Sequence, residues 1–316
     1  MAGREDGAVR PPVLVGQPLL APLIPLLAAQ GYDALPLWEE RGKQRLAQAG
    51  ALVWAGEARL EPALVEAMPR LALIACFTVG YDGVDVPAMR ARGIAVTHGR
   101  EANADDVADQ AIGLIIAHRR GIVSGDRMVR EGSWGVGNKR LTRSLGGAAI
   151  GIVGLGGIGM AIARRAQAMT MAVGWWGPRD KADAPFPRAP SLEALARDSE
   201  ILVVAARAQD ANRRLISHAI IDALGPEGLL VNVARGQLVD EDALIAALKE
   251  GRLGGAALDV FAQEPTPPAR WADVPGTVLA PHGGGATDKA VGRMTQMLLA
   301  NLAAHFAGEA LPSPVP

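Results

Sequence analysis

Short apolar runs alternate with longer amphipathic stretches along most of this chain. In the first hundred residues the runs Val13–Gly16, Asp33–Leu37, Ala51–Ala55, Leu71–Phe77 and Ile94–Thr97 have the length of buried strands. Leu19–Gln30, Glu61–Met68 and Pro87–Arg92, between them, read as helices. Such alternation implies a parallel sheet with helices on both faces. The fourth run passes into the glycine-containing turn Thr78-Val79-Gly80-Tyr81-Asp82-Gly83, at a strand end where ligands bind in such sheets.

A long helix is expected from Asp105, with Val107, Ala111, Leu114 and Ile115 apolar and a basic end at His118-Arg119-Arg120. A second helical piece, Asp126–Glu131, stops at Gly132, and a Gly-rich basic loop runs on to Arg143. Trp134 in this region fits either a core anchor or an arm that reaches a partner subunit. The alternation then resumes with strands Ala149–Val153, Met171–Trp175, Glu200–Ala205, Gly228–Val233, Ala256–Val260 and Thr277–Ala280. Helices Leu192–Arg197, His218–Leu224 and Glu241–Glu250 follow the N-cap residues Ser191, Ser217 and Asp240, and Gly225 and Gly251 sit at C-terminal caps.

Between the first two of these strands lies Gly154-Leu155-Gly156-Gly157-Ile158-Gly159, a G-x-G-x-x-G spacing. Ile158, Ile162, Ala166 and Met169 then recur at helical spacing. Strand, glycine turn and helix together make a dinucleotide site: Gly154 for the tight turn, Gly156 for approach of the pyrophosphate, Gly159 for close helix–strand packing. The expected fold is α/β, with two doubly wound parallel-sheet domains. A Rossmann domain, 103–285, is inserted in a flavodoxin-like substrate domain, 1–102 plus 286–316, to which the final helix Lys289–Ala307 returns. The Rossmann strand order 3-2-1-4-5-6 is expected for the inserted domain.

Composition narrows the function. The 316 residues carry a net charge of −1, which gives no electrostatic case for nucleic acid or an anionic membrane. No apolar run approaches the ~18 residues of a membrane span, residues 1–10 look like a polar tail, and a cytoplasmic enzyme is expected. Cys76 is the only cysteine and lies in an apolar run, so it reads as a small core residue. No His, Asp and Glu cluster has metal-ligand spacing, so no metal is expected.

Three residues suited to acid–base work follow the last three strands: Arg235, Glu264 and His282. In the expected order these strand ends are neighbours on the nicotinamide side. Arg235 would grip a substrate carboxylate with its planar fork and polarise a keto oxygen. His282 would protonate that oxygen as general acid, and Glu264 would hold the imidazole and favour its charged form. The reaction so assembled is the reduction of a 2-keto acid. Among the other histidines only His98, at a strand end, has a candidate substrate-side place.

With Phe77–Asp82, Asp106-Val107-Ala108-Asp109, the glycine loop and the three strand-end blocks in view, the chain resembles the D-isomer-specific 2-hydroxyacid dehydrogenases over nearly its whole length. The layout is most similar to the glyoxylate/hydroxypyruvate and hydroxyphenylpyruvate reductase branch. The resemblance implies a homodimer formed through the nucleotide domain, a substrate carboxylate bound by the N–H groups of Val79 and Gly80, and Asp259 near the nicotinamide carboxamide. Ala206, Val233, Ala234 and Gly284 join Asp259 in the set expected to face the cofactor. The chain departs from the family at Gly157, where an Arg is usual, at His98-Gly99-Arg100 in place of Asn-Thr-Pro, and at Ala206-Arg207-Ala208-Gln209. A corepressor-like nucleotide-sensing protein and a phosphoglycerate dehydrogenase stay open as alternatives on the same fold.

NADP is expected as the preferred cofactor, with NAD as the alternative. Selective NAD sites carry an acid at the end of the second strand. Here that end reads Trp176-Gly177-Pro178-Arg179, with no acid before Asp180 and with Lys181 following. NADPH-using relatives usually carry their arginine one place earlier, at the position of Pro178.

Overall fold

The structure, a computed structural model, describes residues 11–135, 137 and 141–315. The polar stretch 1–10 and part of the basic loop before Arg143 lie outside the described residues. In chain order the elements are β1 Val13–Val15, α1 Leu23–Ala29, β2 Ala34–Pro36, α2 Glu40–Lys43, β3 Ala51–Trp54, α3 Pro62–Glu66, β4 Leu73–Cys76, α4 Val86–Ala91 and β5 Ala95–Thr97. There follow α5 Ala104–Arg119, α6 Ile122–Arg130, β6 Ala149–Val153, α7 Gly157–Ala168, β7 Ala172–Trp176, α8 Leu192–Arg197 and β8 Ile201–Val204. The last are α9 His218–Leu224, β9 Leu229–Asn232, α10 Glu241–Lys249, β10 Gly255–Leu258, α11 Pro268–Trp271, β11 Thr277–Leu279 and α12 Asp288–Ala307. The chain divides into two units, Met1–Ala102 with Asp288–Pro316, and Asn103–Thr287.

The first unit is a parallel sheet of order β2-β1-β3-β4-β5, the flavodoxin-like order. Alternate residues of its strands enter two different layers, because successive side chains of a strand point to opposite faces. Leu14, Leu52, Ile74 and Cys76 pack with Val65, Met68 and Met89. Val13, Val15, Val53 and Ala75 pack with Leu20, Leu23 and Leu27, and with Leu298 and Leu302 of α12. Both faces are buried, which is why the strands read as unbroken apolar runs. Burial pushes the Cys76 thiol up to about 12, so it is an inert core residue.

The second unit is a parallel sheet of order β11-β10-β9-β8-β6-β7. One layer joins Leu202, Val204, Leu230 and Leu258 to Leu195, Ile221 and Leu244 of α8, α9 and α10. The other joins Ile150, Ile152, Val203 and Val231 to Ala111, Ile115, Ile162 and Ala166 of α5 and α7. Arg165 of α7 further ties the two helices by ion pairs to Asp105 (3.0 Å) and Asp109 (2.7 Å) of α5.

The strand order corrects one expectation. Ile201–Val204, read from the sequence as the third strand, lies between β6 and β9 instead of outside β7. The outer position is held by a single parallel bridge, Trp175 to Arg188. Pro185, Pro187 and Pro190 flank that bridge, and proline cannot donate to a ladder, so no regular strand forms there. With Arg188 counted as the third position, the Rossmann order is restored and β9, β10 and β11 remain neighbours.

Two helix expectations also shift. Leu19–Gln30 is not one helix but a 3-10 turn, Pro18–Leu20, followed by α1. A helix begun at Leu19 would hold Pro22 and Pro25 where N–H donors are required, whereas starting at Leu23 leaves Pro25 in a first turn that needs none. The piece expected over Asp126–Glu131 begins earlier, at Ile122, after Gly121 in the left-handed region (φ +59°).

Candidate active site

The glycine loop connects β6 to α7. Gly154 has φ +94°, and a Cβ there would come within 2.7 Å of Ala206 Cα, so both conformation and space demand glycine. A Cβ on Gly159 would fall 2.0 Å from the Gly154 carbonyl oxygen, which fixes how closely α7 approaches the loop. At Gly156 the opposite holds: it is exposed, and none of the described residues lies within 4 Å of the Cβ position. No side chain caps α7 at this residue. An open backbone cradle at the N-terminus of a twelve-residue helix fits a dinucleotide pyrophosphate. Leu155 is buried, Gly157 and Ile158 open the helix, and the Gly154 N–H donates to the Trp176 carbonyl at the end of β7 (2.8 Å).

The end of β7 is crowded by aromatic and cationic groups. Trp175 is buried and donates through Nε1 to the Phe186 carbonyl (3.0 Å), while Trp176 packs half-buried against the neighbouring core. Pro178 and Arg179 are exposed beyond Gly177. Lys181 reaches back to the glycine loop, where Nζ donates to the Leu155 carbonyl at 2.5 Å. Arg188 donates to the Gly177 carbonyl (2.7 Å) and lies over the Trp175 ring, 5.7 Å from its centroid. Asp180 stands 3.9 Å from Arg188. Nothing in the residue pattern separated Arg188 from any other loop arginine; the bridge beside β7 brings it here.

Glu264 and His282 meet at the ends of β10 and β11. His282 Nδ1 lies 2.6 Å from Glu264 Oε2, and both side chains are about one-third exposed. His282 holds φ +53°, a left-handed conformation rare for a non-glycine residue and concentrated at functional sites. Its turn is held from behind by Asp259, which is 2 % exposed. Asp259 Oδ1 accepts from the Gly283 N–H and from Gln110 Nε2, and Oδ2 accepts from the Gly284 N–H. The Asp259 carbonyl accepts from the His282 N–H. Both carboxylate oxygens that the resemblance sets beside the carboxamide are thus engaged within the protein.

Arg235 stands at the end of β9, next to β10. The turn that presents it is set by Asn232, whose buried side chain accepts from the Ala234 N–H (3.0 Å) and donates to the Arg235 carbonyl (3.0 Å). Val233 and Ala234 within the turn are buried. A Cβ on Gly236 would lie 1.9 Å from the carbonyl carbon of Phe261, so the Arg235 turn rests directly on the Phe261–Ala262 backbone of the Glu264 loop. Ala206 closes the loop after β8 against Gly154, and Arg207 beside it is exposed.

In the first unit, Val79 and Gly80 occupy the turn after β4. Thr78 Oγ1 donates to the Gly80 carbonyl and accepts from the Gly56 N–H. His98 Nδ1 stands 2.9 Å from the Val79 carbonyl, with the imidazole edge-on to Tyr81. His98 therefore supports the turn expected to hold a carboxylate.

Residues 112–284 match the family model described as D-isomer specific 2-hydroxyacid dehydrogenase, NAD binding domain. A glyoxylate/hydroxypyruvate reductase A of Arabidopsis thaliana is 41% identical over 265 residues, covering 84% of this chain and 85% of that protein. A hydroxyphenylpyruvate reductase of Plectranthus scutellarioides is likewise 41% identical over 265 residues, covering 84% and 85%. Among solved structures, an NADPH-dependent glyoxylate/hydroxypyruvate reductase from Sinorhizobium meliloti, in complex with NADP and malonate, superposes with a TM-score of 0.89 at 31% identity, covering 97% of each chain.

Proposed function

The chain belongs to the D-isomer-specific 2-hydroxyacid dehydrogenases, and from that premise we propose that it reduces a small 2-keto acid of the glyoxylate or hydroxypyruvate type to the D-2-hydroxy acid. When bound, NADPH or NADH supplies the hydride. His282 gives the proton to the keto oxygen as general acid, and Glu264 stabilises the imidazolium through Nδ1. Arg235 grips the carboxylate and polarises the carbonyl. In the first unit the backbone N–H groups of Val79 and Gly80 donate to no acceptor among the described residues, which leaves them open to a carboxylate. The 2.6 Å pairing of Glu264 with His282 carries this reading. A nucleotide-sensing scaffold has no need of such a pair.

NADPH is the preferred cofactor in this proposal. The absence of a carboxylate at Trp176 supports it, as do the cations Arg179, Lys181 and Arg188 around the same strand end. The working unit is a homodimer built through the nucleotide domain. No residue of α6 is buried, and Ile122, Val129, Trp134 and Leu141 are exposed by 53%, 61%, 67% and 104%. This exposure removes the core-anchor role for Trp134 and supports an arm that covers, and is covered by, a second copy. No helix of the described residues is long and apolar enough to cross a membrane.

A substrate panel tests the function. Glyoxylate, hydroxypyruvate and hydroxyphenylpyruvate are offered with NADPH and with NADH, and loss of reduced-cofactor absorbance is followed. Turnover of at least one keto acid is expected, faster with NADPH. A chain that binds NADPH but oxidises it with none of them overturns the proposal.

A further inference from the structure

Glu241 opens α10 directly behind the Glu264 loop, yet its side chain is only 7% exposed. Its carboxylate accepts from the Ala262 N–H through Oε2 (2.8 Å) and from Arg270 Nε through Oε1. Arg270 also donates to Asp242 (2.7 Å). The preceding N–H in the loop, that of Phe261, donates to Glu264 Oε1 at 2.9 Å. Two consecutive N–H groups therefore engage two carboxylates, one behind the site and one in it. The same Phe261–Ala262 backbone supports Gly236, next to Arg235.

An acidic residue in the first turn of a helix needs no burial to interact with the dipole. Asp242, 75% exposed, already does this for α10. Burying a second carboxylate is costly unless it is paired and hydrogen-bonded. Glu241 meets that condition through Arg270 and through the one loop N–H adjacent to the N–H that orients Glu264.

We propose that Glu241, braced by Arg270, is a positioning residue: by holding the Ala262 N–H it sets the Phe261–Ala262 peptide and so aims the Glu264 carboxylate at His282 Nδ1. The proposal rests on the assigned reaction only for its effect on rate; its effect on geometry is independent of turnover.

The test reads both. In the full-length protein, the Nδ1 proton of His282 is identified as a downfield imidazole resonance that disappears in His282→Ala. Glu241→Leu is expected to remove or shift that resonance, whereas Glu241→Gln, which keeps an acceptor for Ala262, preserves it. In kinetics, Glu241→Leu lowers kcat about tenfold in the parent but less than about twofold in a Glu264→Gln background, because residues acting through one another are non-additive. Glu241→Asp, which keeps the charge beside Arg270 but withdraws it from Ala262, replaces Glu241→Leu should the latter not fold. An unmoved resonance, or equal losses of kcat in both backgrounds, overturns the positioning role. A resonance that responds as described in a chain that reduces no keto acid overturns the assigned reaction and leaves the positioning role standing.

Discussion

Asp259 and Gly284 are joined by a 2.9 Å hydrogen bond from the Gly284 N–H to Oδ2, while Oδ1 of the same buried carboxylate takes the Gly283 N–H. The turn that carries His282 in its left-handed conformation is therefore fastened to the end of β10. Asp259→Asn presents an amide group to one of these two N–H donors. A buried donor left without an acceptor costs about 1–3 kcal/mol. Urea denaturation is expected to show a loss of that size, with lower kcat in the folded fraction. An unchanged midpoint and kcat would show that the turn holds itself.

His282→Ala is expected to lower kcat by a factor of about 10² to 10⁴, the usual contribution of a general acid. The affinity for NADPH, measured by fluorescence titration, should stay near that of the parent, because the glycine loop lies on β6 and α7. A variant with nearly full turnover on a keto acid used by the parent removes His282 from the chemistry.

Arg235→Lys keeps the charge and loses the planar fork. The Michaelis constant for the keto acid should rise and kcat fall together, with cofactor affinity unchanged. Steady-state kinetics identical to the parent would place the carboxylate elsewhere.

The cofactor preference is tested at Arg179 and Lys181. Each alanine variant is expected to weaken NADPH use about tenfold or more, the effect of a charge-assisted hydrogen bond worth roughly 1.5–3 kcal/mol. NADH use should barely change with Arg179→Ala. Catalytic efficiencies with both cofactors decide it, and a parent that works better with NADH excludes the preference.

Arg119 is almost fully buried, with 4% of its side chain exposed, and Nη2 donates to Glu200 at 2.9 Å. Its Nε and Nη1 have no hydrogen-bond partner among the described residues, and Nη2 also donates to the Ser144 carbonyl, so Glu200 is the charged group paired with this cation. The hydrogen bond from Arg119 holds the Glu200 carboxyl below the ordinary glutamate value of 4.5. A carboxyl depressed in the folded state stabilises above its unfolded value, and that contribution is lost as pH falls through the folded one. Glu200 is 45% exposed, so solvent screening limits the cost of Glu200→Gln to about 1–2 kcal/mol at neutral pH. Urea midpoints of parent and variant should converge as pH falls well below 4.5. A gap that persists into acid contradicts the pairing.

What the chain determined by itself is its local grammar. Buried parallel strands must be apolar on both faces, so Leu14, Ile74, Val203 and Val231 announced themselves as runs. The glycine loop was legible because Gly154 and Gly159 answer steric demands that no other residue meets, and Arg235, Glu264 and His282 stood out as candidates because each follows a strand closely. Only the tertiary structure decided that β8 lies between β6 and β9. Sheet order depends on the sides to which crossovers pass, and the Pro-flanked bridge at Arg188 carried too little pattern to be counted as a strand. The same limit hid the supports of the site. Glu241 lies 23 residues before Glu264 and Gln110 lies 149 residues before Asp259 in the chain, and no periodicity links such pairs. Hydrogen bonds to a loop N–H depend on where folded backbone comes to rest, so Glu241, Asn232 and Asp259 acquire their work only when β9, β10 and β11 lie side by side.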